Sequence, residues 1–121
     1  MVNYKPSIKE IAVSFSNGNF ELAFPYLSEN ITWNIIGENV LTGKTDVIAN
    51  CQQTAAYFKS VQTNFITDHI IVADNKVVVS GTAEFIKDGR RINFISACDV
   101  YEFNGNHVLE KISSYCISDK K

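Results

Sequence analysis

Charge of one sign, long hydrophobic runs, proline and paired cysteines are all scarce in this sequence. Eleven Lys and Arg stand against thirteen Asp and Glu, so no positive excess exists to neutralise phosphates, and neither nucleic acid nor an anionic membrane is expected as a partner. No apolar run approaches the roughly 18 residues of a membrane span, and Met1-Val2-Asn3-Tyr4-Lys5-Pro6 has no hydrophobic stretch of the signal-peptide kind, which makes the cytoplasm the expected compartment. Cys51, Cys98 and Cys116 are odd in number and far apart, giving neither a disulfide framework nor zinc-ligand spacing; reduced, inert packing is expected of them. No glycine-rich phosphate loop, nucleophile elbow or helical His pair occurs, so no cofactor and no metal are expected.

What is present is one domain's worth of periodic apolar residues in 121 positions, 45% of them hydrophobic, enough for one core spanning 1–121 without staples. Ser7-Ile8-Lys9-Glu10 fits a capping box, and Ile8, Ile11, Ala12 and Phe15 form one stripe up to Asn17-Gly18, so a helix is predicted over 8–16. Phe20, Ala23, Phe24 and Leu27 repeat the spacing over 20–27, with Pro25 expected to kink or shorten that helix. Ile31 to Ile36 reads as a strand closed by Gly37, and Leu41-Thr42-Gly43-Lys44 as a turn. Thr45 is placed as the cap of a third helix over 45–60, whose Val47, Ile48, Cys51, Ala55 and Phe58 share a face.

From Gln62 the period changes. Asp74-Asn75, Asp88-Gly89 and Asn104-Gly105 divide the remainder into four strands of an antiparallel meander, ending in Ser118-Asp119-Lys120-Lys121, which should fray. Helices first and hairpins afterwards describe an α+β fold with three helices on one face of a sheet. Apolar side chains occupy both faces of the strands around 77–86 and 92–103, so the face the helices leave bare is expected to meet a second copy of the chain.

This order of elements resembles the SnoaL-like and ketosteroid-isomerase-like members of the nuclear transport factor 2-like superfamily. The supporting stretches are Ser16-Asn17-Gly18-Asn19, Ile31-Thr32-Trp33-Asn34-Ile35-Ile36-Gly37 with Leu41-Thr42-Gly43-Lys44, Cys98 to Gly105, and Ile112-Ser113-Ser114-Tyr115. The resemblance extends over almost the whole chain. It implies a strongly curved, mainly antiparallel sheet wrapped with helices into a cone around an apolar pocket, commonly as a homodimer through the outer sheet face. It also implies a small apolar or carbonyl-bearing ligand. Asp99 matches the family's protonated aspartate on the penultimate strand, whereas the base position falls on Asn34 and the oxyanion-binding tyrosine on Ile11. Steroid isomerisation by three such groups is therefore not expected, because an amide takes no proton at neutral pH.

Asp99 sits in an apolar run and needs a partner or a raised pKa, so it is the candidate acid–base residue; a plain strand carboxylate bonded to neighbours is the alternative. The candidate pocket residues are Trp33, Asn34, Cys51, Phe58, His69, Tyr101, Ser114 and Cys116. Strand alternation allows only one of Trp33 and Asn34 to face inward; the resemblance favours Asn34, with Trp33 in the core or at the rim. His107 reads as an exposed hairpin residue, and Lys87 to Arg91 as a solvated loop. Two functions stand: an isomerase-, cyclase- or dehydratase-type acid–base enzyme using Asp99, or a non-catalytic ligand-binding or protein-interaction module. A second titratable group inside the cavity decides between them.

Overall fold

The computed structural model describes residues 5–119; expectations about Met1 to Tyr4 and about Lys120 and Lys121 lie outside them. Helix α1 is Ile8–Ser16, and both halves of its capping box form: Ser7 Oγ accepts from the Glu10 N–H at 3.1 Å and Glu10 Oε1 from the Ser7 N–H at 3.0 Å. Ile11, Ala12 and Phe15 bury its apolar stripe. The second helix is a 3₁₀ helix, Phe20–Tyr26, with Pro25 inside it, and Leu27 already belongs to the next strand. The missing proline N–H explains the tighter, shorter helix.

Strand β1, Leu27–Ile35, starts earlier than the β-branched run suggested. The expected turn at Leu41-Thr42 is instead strand β2, Asn39–Thr42, which pairs antiparallel with β1. Gly37, at φ +82°, makes the reversal that places it there. Helix α2 is Lys44–Ser60, and its cap is the Gly43 backbone rather than Thr45. Gly43 N–H is committed to Ile31 O at 2.7 Å, which ties the helix start to β1 and leaves Thr45 inside the first turn.

Strands β3 (Gln62–Ala73), β4 (Lys76–Lys87), β5 (Arg90–Phe103) and β6 (Leu109–Ser118) follow, divided at the three expected turns. The six strands form one sheet in the order β2-β1-β6-β5-β4-β3. All pairs are antiparallel except β1 with β6, where Trp33 lies opposite Ile112 and Ile35 opposite Ser114. The sheet is therefore mixed, and its two halves are joined through the last strand. Ser118 and Asp119 do not fray: Ser118 Oγ donates to Asn93 Oδ1 at 2.6 Å and Asp119 N–H to Phe94 O at 2.7 Å.

The helices pack on the inner face of the curved sheet, and the core between them holds Ile11, Phe15, Val47, Val77, Tyr101 and Ile112. Alternation places Asn93, Ile95, Ala97, Asp99 and Tyr101 of β5 on that inner face. Gly81 of β4 lies opposite Ala97, and Ala97 opposite Cys116 of β6, so a row with little side-chain bulk crosses the sheet at its middle. At Gly81 a Cβ would run into the Ile66 carbonyl, so this close approach of β3 and β4 needs glycine. Among the described residues no helix is long and apolar enough to cross a membrane, and no three His, Cys, Asp or Glu side chains are grouped to hold a metal.

Candidate functional site

Above that row lies a cavity of about 320 Å³, bounded by the end of α1, the aromatic residues of α2 and the inner faces of β1 and β3 to β6. Phe15, Phe20, Trp33, Tyr57, Phe58, Phe65 and Phe85 make its wall largely aromatic. Phe15 packs edge-on to Phe20, Trp33 and Tyr101, with ring centres 4.8, 5.1 and 5.9 Å away, while Phe58 meets Phe20, Phe65 and Phe85 on the other side. Gly18, at φ +83°, ends α1 where a side chain would press on the Phe58 ring 3.0 Å away.

The polar end of the cavity is built around Asp99. Ser16, the last residue of α1, donates to Asp99 Oδ2 at 2.8 Å and lies 2.6 Å from the Tyr101 hydroxyl. On the other side Ser114 bonds the Asp99 carboxyl while its oxygen accepts from Trp33 Nε1 at 2.9 Å. Indole N–H is a donor only, so the Ser114 proton is free to point at Asp99. Burial pushes the Asp99 pKa above the ordinary carboxylate value, and the hydroxyls of Ser114, Ser16 and Tyr101 offset part of that rise. The carbonyl end of α1 beside it also disfavours a negative charge. Burial and the neighbouring Asp99 raise the Tyr101 pKa well above its usual range, so its hydroxyl stays protonated.

Of the residues singled out from sequence, Trp33, Phe58, Asp99, Ser114 and Cys116 line the cavity. Asn34 does not, and the choice between neighbours is settled for Trp33, which is 8% exposed and whose indole the cavity wall needs to hold Ser114. Cys51 is fully buried between α2 and the core, outside the cavity, with its thiol pushed up to about 12 by burial. His69 sits opposite Ser80, its Nδ1 3.2 Å from Ser80 Oγ, exposed on the outer face; a register shift after Thr67 turns it away from the cavity. Tyr101 stands behind the wall and reaches the site through Ser16. Sequence reasoning missed Ser16, whose only signal was its place immediately before the Asn17-Gly18 stop, and Asn93, which lies on the inner parity of β5 with Asp99.

The SnoaL-like domain family model matches residues 9–111. The chain belongs to the SnoaL-like domain family. An NTF2-like protein of unknown function from Cytophaga hutchinsonii is 35% identical, with 88% of this chain and 93% of that chain covered at a TM-score of 0.80. This SnoaL-like chain also matches SalBIII, an epoxide hydrolase/cyclase-like enzyme of pyran ring formation in salinomycin, at 17% identity, 91% and 90% coverage and a TM-score of 0.66. A candidate isomerase of the SnoaL-like family from Agrobacterium tumefaciens aligns at 14% identity, 88% and 94% coverage and a TM-score of 0.66. At those two identities the likeness is one of fold. No curated protein matches the sequence.

Proposed function

We propose that this SnoaL-like protein binds a neutral, largely apolar small molecule whose carbonyl or comparable oxygen accepts a hydrogen bond from protonated Asp99. The observation that carries this reading is the Asp99 carboxyl, held by Ser16 and Ser114 at the polar end of an aromatic cavity. Ser16 and Ser114 both donate to the carboxyl, and when Asp99 is protonated its own O–H is the donor it offers a ligand. Among the described residues the lining contains no Lys, Arg or His, which disfavours an anionic ligand.

Among the described residues Asp99 is the one carboxyl group of the lining, with no imidazole beside it, and this favours binding over two-group acid–base catalysis. The second reading is an isomerase-, cyclase- or lyase-type enzyme in which Asp99 alone delivers and recovers a proton. It draws support from the cyclase-like and isomerase relatives. Titration of the Asp99 carboxyl carbon by nuclear magnetic resonance tests the shared premise. A midpoint above about 4 is expected, and one at or below it overturns both readings. Asp99→Asn should retain much of the affinity for a simple ketone that Asp99→Ala loses, because the carboxamide still donates.

The outer sheet face supports a homodimer as part of the same proposal. Cross-strand register puts Ile66, Thr82, Ser96 and Ile117 in one row and Ile71, Val78, Val100 and Ser113 in another; Ile66, Ile71 and Ile117 are 61%, 58% and 74% exposed. Sedimentation should give twice the chain mass, and Ile117→Lys should shift it to one; a wild-type monomer removes the claim.

A further inference from the structure

We infer that Asn93 forms a second polar subsite in the cavity, so that its ligand is an elongated neutral molecule with an oxygen at each end, one on Asp99 and the other on Asn93. The inference rests on the reading of Asp99 as the binding group and adds the length and second functional group of the ligand. Asn93, Ile95, Ala97 and Asp99 are successive inward residues of β5, and all four line the same cavity. Six residue steps of strand put the two polar ends about 20 Å apart at the backbone. Side chains leaning inward from both ends shorten the span a ligand must bridge.

The middle of this lane is left open. Ala97 has Gly81 on one side and Cys116 on the other, so the row crossing the lane carries little bulk, while Phe58, Phe85 and Ile95 supply its apolar sides. A molecule lying along β5 would place an aliphatic or ring body over Ala97 and its ends beside the two polar groups.

The orientation of Asn93 is set by its partners. Its Oδ1 accepts from the Phe94 N–H at 2.9 Å and from Ser118 Oγ at 2.6 Å. A backbone N–H is only a donor, so the carbonyl must be the side of the amide that faces it. Nδ2 then points the other way, and no partner for it exists among the described residues. Among the described residues no buried side-chain nitrogen or oxygen lacks a partner, so Nδ2 is within reach of solvent or ligand rather than sealed in the wall. Its two protons are donors, as is protonated Asp99, and two donor ends select two acceptor oxygens.

The test uses a length series of linear methyl ketones and the matching diketones, titrated by fluorescence of Trp33, the single tryptophan, which lies in the cavity wall. At the matching length the diketone should bind about three- to tenfold tighter than the monoketone, as one added neutral hydrogen bond implies. Asn93→Ala should bring that ratio to one. Asn93→Asp, which keeps an oxygen for Phe94 and Ser118 but replaces the donor by an acceptor, should do the same and guards against a folding defect in the alanine variant. A ratio of one at every length in the wild type, or a ratio that survives both substitutions, overturns the inference. Asp99→Ala supplies the separate arm: if monoketone affinity is insensitive to it, the reading of Asp99 fails, and the second subsite falls with it.

Discussion

The Tyr101 hydroxyl donates to Ser16, 2.6 Å away, because the one Ser16 proton is already directed at Asp99. The same polarity holds on the opposite side, from Trp33 through Ser114 to Asp99. Two chains of donors thus converge on one carboxyl, and each begins at a group that keeps its proton at neutral pH.

Tyr101→Phe removes the origin of one chain. We expect a loss of about 1 kcal/mol in denaturant unfolding, typical of one buried hydrogen bond, together with a higher Asp99 pKa, since the Ser16 and Tyr101 hydroxyls both lower it. An unchanged carboxyl titration in the folded variant would show that Tyr101 has no influence on the site.

Asp99 should also shape the pH dependence of stability. Its folded pKa is raised, so between the unfolded value near 3.8 and the folded value the native state holds more protons than the unfolded chain. The contribution of Asp99 is therefore fully present below the unfolded pKa and is lost as pH rises through the folded pKa. Unfolding free energies across that window should decline in the wild type relative to Asp99→Asn, and parallel curves would contradict the assignment.

The three thiols should separate by reactivity. Burial pushes Cys51 up to about 12, and burial with the nearby Asp99 and Glu38 charges pushes Cys116 up to about 11. Cys116 is exposed at the cavity and Cys51 is not. In a Cys98→Ser background, iodoacetamide should label Cys116 alone under native conditions, at a rate rising about tenfold per pH unit below its pKa, and a cavity ligand should slow it. Native labelling of Cys51 would contradict its burial.

Gly81→Ala should destabilise the protein by about 1–3 kcal/mol, because the added methyl group meets the Ile66 carbonyl rather than a movable side chain. Amide exchange should quicken first in β3, the edge strand that must shift. Wild-type stability in this variant would show that the two strands separate at no cost.

The elements legible in the sequence were those with a local cause. The capping box at Ser7 and Glu10, the Asn17-Gly18 stop and the three hairpin turns act within a few residues, and α1 and β3 to β6 follow from them. Asp99 stood out as a charge among apolar neighbours. The remainder depended on contacts distant in the chain. Trp33 faces the cavity because β1 joins β6 in the register that puts Ile112 beside it, and nothing between Ile31 and Ile36 encodes that register. His69 is turned outward by an irregularity in β3 that lies beside a glycine of the neighbouring strand, Gly81, opposite Thr67 and fourteen positions after it.

The parallel pairing of β1 with β6 has a consequence for synthesis. A nascent chain that ends before Leu109 can form the β1–β2 hairpin and the β3 to β5 meander, but no strand pairing joins the two pieces, since β6 is the strand between them and only the helices pack on both. Closing that gap brings together residues about 80 positions apart, an entropic cost that only the finished sheet repays. Until β6 leaves the ribosome, Trp33 has no Ser114 to hold, and β5 lacks the neighbour that closes the polar end of the cavity. The binding site is thus completed by the last strand of the sheet, and a chain truncated within β6 should meet proteases with its two sheet halves held together by the helices alone.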